Sequence, residues 1–547
     1  MKFPRLMTYV PTWKNAALAV LSAVLLILSF PDFEFSFLAW FSLIPLLWAV
    51  ERENESAARS FVLGWLWGFV FFSGTCWWLT FAPINYAGFP SPIAYLLLFC
   101  VTAIVGIFPA IFAAILSTLR RRFGSVAFLA APFVWVFTEF LRYWVTGNNW
   151  NSIGYSQFTN EGFLSCAATG GVLLSSFLVA VLNVFYGVVL YVIGLWYGRG
   201  IRQFFNNVLK VRNNQPAQFM GTVDQKDAIW TQRIVVGWLA LQVISFVWSL
   251  LETPKTVPAG RPTESVVVAI QPNVPMSGLS EEKWRSLRQK HIELSESALK
   301  QLTTDSRKLT TVIFPESPMN FMFEEDEEFR DFVHAFAAKN NVNVLFNSAE
   351  PDGSNNKYFN SAVLVGPDGK EIAQYDKIYL LPFGESVPAP LQAIVPAFVG
   401  SFSYGKEYDL LPVGDAQAGV MICFESHFGE LSREYVRNGA DVLIEMTNDG
   451  YLGPTPVLRQ HLANAVFRAV ETNRPVVRVT NVGITAYINE SGAVLDATQG
   501  YTEDTRVWKV AKSDRTQTFY VKYGDWFAWL CSIVTLVLLS LTFRPKK

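Results

Sequence analysis

Apolar residues are spread unevenly along this chain, and that unevenness limits what it can fold into. Long apolar runs crowd residues 1–251 and 526–547, while residues 252–525 nearly lack them and carry most of the charge. Overall the chain is 51% hydrophobic and 16% charged, too apolar for a wholly soluble protein. It reads as a membrane protein with one sizeable soluble domain inserted near its C-terminal end. A formal net charge of -1 offers no basic face to neutralise phosphates, which argues against nucleic acid as a partner.

Eight stretches are candidate membrane spans: about residues 15–30, 36–50, 60–82, 93–118, 124–141, 164–197 and 233–251 before the soluble domain, and 526–543 after it. Crossing ~30 Å of hydrocarbon takes about 20 apolar residues. The fourth, sixth and eighth stretches meet that length, and the first, second and fifth are short. Lys2, Arg5 and Lys14 ahead of a compact apolar core give residues 1–30 the look of a secretory signal, but no small-x-small cleavage site follows, so an anchor is expected. Lys and Arg are retained on the cytoplasmic side of a membrane. The short loops 31–35, 83–92 and 143–163 carry neither, whereas the alternate segments hold Arg52, Arg59, Arg120, Arg121, Arg122, Arg199 and Lys210. With the N-terminus inside, seven crossings deliver the 252–525 domain to the outer face and the eighth returns the tail. Glu139 and Arg142 would each cost roughly 2.5–3.5 kcal/mol at mid-membrane, so they are expected to line an interior.

Within 252–525, strand-like runs at 265–270, 309–314, 342–346, 361–366, 419–423, 441–446 and 475–480 alternate with helical stretches near 281–304, 324–339 and 456–472. "GPDG" (366–369) and "NESG" (489–492) are hairpin signals. The sum is an α/β domain with a mixed, largely buried sheet.

Of the five cysteines, Cys76, Cys100 and Cys531 lie inside candidate spans, Cys166 lies at the edge of one, and Cys423 alone lies in the soluble domain. A domain with one thiol has no internal disulfide, and a free cysteine ordinarily behaves as a small buried hydrophobe. Three motifs at strand ends weigh against that here: "FPESP" with Glu316, "YDKIYLLPFGES" with Lys377 and Glu385, and "ICFES" with Cys423. A thiol near pKa 8.5 needs a base or a cation to become a nucleophile. Glu316 can take its proton, and Lys377 can favour the thiolate and then the oxyanion, helped by the backbone N–H groups after Cys423. Each residue also has an ordinary reading: a turn cap for Glu316, a surface charge for Lys377, a solvated acid for Glu385. His291, His334, His427 and His461 show no metal-ligand spacing, no Gly-rich phosphate loop is present, and His427 is expected to face away from Cys423. No cofactor and no metal are expected.

In that order the three motifs resemble the Glu-Lys-Cys pattern of the nitrilase superfamily, and "TNDGYLG" (447–453) and "RAVETNRPVVRVTNVG" (468–483) look like its later signatures. The membrane-region stretches 28–50, 76–92 and 150–158 resemble the bacterial apolipoprotein N-acyltransferase family within it. The resemblance implies a polytopic helical domain of about eight spans (1–251 and 526–547) around a nitrilase-like αββα sandwich (252–525). It also implies a bacterial inner-membrane location with the catalytic domain outside. The implied reaction moves a fatty acyl chain from a phospholipid donor to the N-terminal amine of a diacylated apolipoprotein. Carried over, Glu316 is the base, Lys377 the transition-state stabiliser and Cys423 the nucleophile. Glu385 is then a supporting acid, Phe424 and Glu425 are neighbours that matter, and Trp284 is a substrate-binding residue. The family often has Tyr where this chain has Phe424, and a Gly-Phe-Pro-Trp stretch where it has "GNNW" (147–150). A monomer is expected. The apolar stretch 388–400 reads equally as a lid dipping into the membrane and as a buried helix. Two alternatives stay open: a membrane-anchored amidase or lipid hydrolase using the same triad, and a non-catalytic transporter or scaffold.

Overall fold

A computed structural model describes residues 9–209, 265–302, 310–316, 318–319, 321–382, 384–387 and 402–545. The expected span at 233–251 and the stretch 388–400 lie outside these residues. The N-terminal half is helical: α1 (Trp13–Ile27), α2 (Ile44–Arg52), α3 (Ala57–Thr75), α4 (Ser91–Val105), α5 (Ile107–Phe123), α6 (Ala131–Thr146) and α7 (Ala167–Leu209). The 36–50 stretch is not one continuous helix. A four-residue helical piece, Ala39–Ser42, precedes α2, and Pro45 at the start of α2 lacks the N–H that would carry the helix through. Helices α4 and α5 run on through Gly106 until Gly124 (φ +72) ends them, one residue after a last turn that holds Arg120, Arg121 and Arg122 at the negative end of the helix dipole. Arg120 makes two 2.7 Å bonds to Glu51 there.

Three helical stretches among the described residues are long and apolar enough to cross a membrane: Ala57–Thr75, the run Ser91–Thr146 and Ala167–Tyr191. In α4 only Ala94, Leu98 and Thr102 are buried, an i, i+4, i+8 stripe, while Leu96 and Ile104 are 61% and 60% exposed. One narrow stripe thus holds the helix to the protein, and its other apolar faces suit lipid. Glu139 and Arg142 are interior, as expected. Glu139 accepts from the Ile153 N–H (2.8 Å) and the Trp135 indole (2.9 Å), and Arg142 donates to the Trp150 carbonyl (2.8 Å) and lies 4.9 Å over the Phe72 ring.

Among the described residues the second half carries thirteen strands: β1 (Ser265–Gln271), β2 (Thr310–Ile313), β3 (Asn343–Asp352), β4 (Lys357–Val365), β5 (Glu371–Asp376), β6 (Phe402–Ser403), β7 (Leu410–Val413), β8 (Ala416–Ile422), β9 (Val442–Thr447), β10 (Val476–Thr480), β11 (Ala486–Ile488), β12 (Val494–Leu495) and β13 (Asp504–Val510). They form two sheets, ordered β13-β1-β2-β3-β4-β5 (with β6 beside β4) and β12-β11-β10-β9-β8-β7. All seven expected strand runs fall in these sheets, and both hairpin signals join antiparallel neighbours, β4 to β5 and β11 to β12.

Side-chain alternation sorts the layers. From the first sheet, Val267, Ala269, Ile313, Leu345 and Leu364 share a core with Val420, Ile422, Leu443 and Val477 of the second. The intervening Val268, Ile270, Val312, Val344 and Val363 pack under α8 (Glu281–Leu299) and α9 (Glu327–Asn340). Two further helices, α10 (Gly429–Arg437) and α11 (Val457–Thr472), belong to the second sheet's side, and α11 packs on α7 of the membrane half. The result is an αββα sandwich. After the short helix Phe519–Tyr523 the chain ends in α12 (Trp526–Thr542), an apolar helix whose Ile533, Leu536 and Val537 face outward.

Helix α7 is interrupted at Gly170 and Gly171, and at Gly171 the φ is +67. A Cβ there would lie 2.6 Å from the Tyr520 ring. Gly171→Ala therefore meets both a left-handed backbone and a packed ring, a cost of roughly 2–4 kcal/mol. A clearly lower apparent melting temperature for the detergent-solubilised full chain is the expected outcome.

Candidate active site

Three strand ends converge on one cluster of polar side chains. Cys423 follows β8 directly, Lys377 follows β5 directly, and Glu316 lies three residues past β2. Cys423 has a φ of +54, a left-handed conformation that a residue with a Cβ adopts only when its surroundings enforce it. The sharp turn this makes sits at the end of the sheet, where the Cys423 side chain faces the charges of Glu316 and Lys377.

Glu316 is held at both oxygens, by the Asn448 N–H (3.1 Å) and by the Asn360 amide (3.4 Å). Lys377 is 1% exposed, and its Nζ lies 2.8 Å from each oxygen of Glu385. Glu385 in turn accepts from the Asn360 amide (2.6 Å) and the Leu381 N–H (2.7 Å). Burial opposes the ammonium charge, but the facing carboxylates of Glu385 and Glu316 outweigh it and hold Lys377 protonated. Burial, with Glu385 adding to it, pushes the Glu316 carboxyl up against the pull of Lys377. Burial and the charge on Glu316 push the Cys423 thiol well above its ordinary value, while Lys377 works the other way. The resting cysteine is therefore a thiol beside a base whose proton affinity has been raised toward its own, an arrangement suited to proton transfer during attack.

Glu425 fixes how these parts meet. One oxygen accepts the Ile422 N–H (2.8 Å) from the end of β8. The other accepts the Ile378 N–H (2.8 Å), the Tyr379 N–H (3.0 Å) and the Tyr375 hydroxyl (2.8 Å) from the lysine loop. Burial raises this fully buried carboxyl to about 7 against those donors and Lys377. Phe424 takes another direction: its ring stacks on His427 (5.7 Å) and meets Phe428 edge-on (5.2 Å).

The loop 147–150 of the membrane half joins the same aromatic group. Asn149 donates its N–H to His427 Nε2 (3.2 Å), Trp150 lies 5.3 Å from the His427 ring, and the Trp150 indole donates to Gln460 Oε1 (3.0 Å). That oxygen also receives the Trp78 indole (3.1 Å) and the Asn151 amide (3.3 Å), so one glutamine side chain of α11 gathers two loops of the N-terminal half. With its acceptor nitrogen taken, and burial pressing its pKa well down, His427 is not placed to act as a base.

The catalytic half from residue 270 to 519 matches the carbon-nitrogen hydrolase family model, and residues 22–185 match the model for the apolipoprotein N-acyltransferase N-terminal domain. The apolipoprotein N-acyltransferase of Geobacter metallireducens is 32% identical over 97% of this chain and 96% of its own length. The chain belongs to the apolipoprotein N-acyltransferase family. The enzyme of that name from Thermotoga maritima is 30% identical over 95% of this chain and 92% of its own. Among solved structures, Nit3 of Saccharomyces cerevisiae, from branch 10 of the nitrilase superfamily, is similar at 17% identity over 46% of this chain and 91% of that one, with a TM-score of 0.36.

Among the residues carried over from the family, Glu316, Lys377, Glu385 and Cys423 meet in one cluster, with Glu425 bonded to the turn and the loop that carry Cys423 and Lys377. Trp284 does not join them in the described contacts. It sits on α8 against the cluster that holds Phe314, Met319, Phe321 and Phe329, and its indole N–H finds no acceptor among the described residues. Sequence reasoning missed Asn360, Asn448 and Gln460, whose roles come from hydrogen bonds across distant segments. The Asn448 next to the "NDG" turn of the 447–453 signature was the one visible signal. Glu425→Ala would orphan three backbone N–H groups and the Tyr375 hydroxyl at once. A loss of about 3 kcal/mol or more is expected, measurable as a large fall in the melting temperature of the purified full chain.

Proposed function

We propose that this protein, an acyltransferase by family, transfers a fatty acyl chain from a membrane phospholipid to the N-terminal amine of diacylated apolipoproteins in two half-reactions on Cys423. The observation that carries this reading is the Cys423 side chain facing the Glu316 carboxyl, with the Lys377 ammonium, paired to Glu385, beside them. In the first half-reaction Sγ attacks an acyl ester carbonyl as Glu316 takes the thiol proton. Lys377 and the backbone N–H groups after Cys423 stabilise the oxyanion. When the intermediate collapses, Glu316 returns that proton to the departing alcohol of the lysophospholipid, and a thioester remains.

In the second half-reaction the neutral amine of the acceptor attacks the thioester carbonyl. Glu316 takes a proton from the attacking nitrogen, the amide forms, and the thiol is regenerated with that proton. A thioester keeps the acyl group activated after the first product leaves, which a ping-pong exchange between two lipid substrates needs. The reading places residues 1–251 and 526–547 in a multi-pass inner-membrane domain, with residues 252–525 on the periplasmic face. Lipid-suited faces on α4 and α12 and the docking of membrane loops beside the pocket support it. All reacting groups come from one chain, which fits a monomer.

Intact-mass analysis of the full chain in phospholipid micelles without acceptor tests the first step. A fatty acyl adduct is expected on the wild type and none on Cys423→Ala. Lys377→Ala is expected to slow adduct formation about 100- to 1000-fold, and Glu316→Gln by a similar factor. Adding a diacylated lipopeptide should move the acyl group onto its amine. Release of free fatty acid alone would instead identify a hydrolase and sink the proposal.

A further inference from the structure

Beneath the nucleophile lies a buried ionic cluster to which the mechanism above gives no part. His461 on α11 places Nδ1 2.7 Å from Asp449 Oδ1 and Nε2 3.1 Å from the carbonyl oxygen of Cys423. Glu445 Oε1 also lies 3.0 Å from Nε2. Arg478 completes the group, reaching Asp449 Oδ2 at 2.7 Å and pairing with Glu445. His461, Asp449, Glu445 and Arg478 are all buried, and together they hold two positive and two negative groups.

A neutral imidazole carries one proton, so one of its nitrogens is always a bare acceptor. Here each ring nitrogen faces an oxygen that has no proton to give, a carboxylate on one side and a peptide carbonyl on the other. Both nitrogens must therefore donate, and the ring is an imidazolium. Its Nε2–H bond ends on the one carbonyl whose peptide also contains the N–H that follows Cys423. That peptide sits in the left-handed turn at φ +54, a conformation the surroundings have to maintain.

We propose that His461 is a positioning residue for acyl transfer: as a buried imidazolium it grips the Cys423 carbonyl and fixes the peptide plane that presents both the thiol and the next N–H to the substrate. This rests on the Cys423 nucleophile proposed above. Two effects follow from one bond. The turn is held in the orientation the attack requires, and a donor on the carbonyl oxygen polarises the peptide, making its N–H a stronger donor to the oxyanion. The groups facing His461 are Asp449 and Glu445 at the end of β9 and beyond, Arg478 on β10, the Cys423 turn after β8, and His427 within that turn. Burial and Arg478 oppose its charge while Asp449 and Glu445 favour it, and the ring ends with a pKa raised to about 9.

Two double variants of the full chain separate the hydrogen bond from the charge balance. His461→Gln/Glu445→Gln and His461→Leu/Glu445→Gln both leave Asp449 and Arg478 as a balanced pair, but only the first keeps a donor under Cys423. Each is assayed by the time course of the acyl adduct in micelles of phosphatidylethanolamine and phosphatidylglycerol. The glutamine variant is expected to acylate within about tenfold of wild type. The leucine variant should be about 100-fold slower at saturating phospholipid, with an unchanged half-saturating concentration and a melting temperature matching the glutamine variant's. Equal rates for the two overturn the assignment.

The pH dependence gives a second arm, which stands even where the leucine variant does not fold. A raised pKa means the charged ring is present below its folded value and lost as pH rises through it. The wild-type acylation rate is therefore expected to fall as pH passes about 9, and the glutamine variant should lack that fall. A fall shared equally by both, or absent from the wild type, overturns the proposal. A wild type that forms no adduct at any pH overturns instead the nucleophile on which it rests.

Discussion

Everything that happens at Cys423 depends on one carboxylate that does not react. Glu425 accepts one N–H from the second sheet and three donors from the loop that ends the first, so a single side chain sets the distance between the cysteine turn and the lysine loop. Two sheets that meet through apolar side chains can slide by fractions of an ångström at little cost, because dispersion contacts are non-directional. Hydrogen bonds converging on one buried carboxylate are directional and costly to break. The sandwich supplies the surroundings, and Glu425 supplies the register.

The electrostatics follow a consistent plan of burying charge only in company. Lys377 lies between Glu385 and Glu316, and His461 and Arg478 lie between Asp449 and Glu445. Neither group leaves a lone ion in a poorly solvated place, where the cost would be several kcal/mol. Burial, together with the extra negative charge the first group carries when Glu316 is ionised, pushes the Cys423 thiol above its ordinary value.

Much of this was legible in the residues. The seven apolar runs became strands because each is short, β-branched and bounded by turn residues, and the three reacting groups were readable because each sits where a strand ends. Strand β13 was not, since "DTRVWKV" spreads charge along a strand that among the described residues pairs on one side, with β1. The 36–50 stretch looked like one span because hydropathy averages over the break before Pro45. Trp284 lies on α8 against the core cluster of the first sheet's outer side. His461 escaped notice because its role is set by what its two nitrogens face, and Asp449 and the Cys423 carbonyl are 12 and 38 residues away from it in the chain.

The bond from Asn149 to His427 joins residues 278 apart, and it ties the aromatic surroundings of the nucleophile to a loop of the membrane half. With Trp150 and Trp78 anchored on Gln460, part of the wall around Phe424 is built by residues far upstream of the catalytic domain. A gene fragment encoding residues 252–525 alone would inherit the reacting groups and lose that wall.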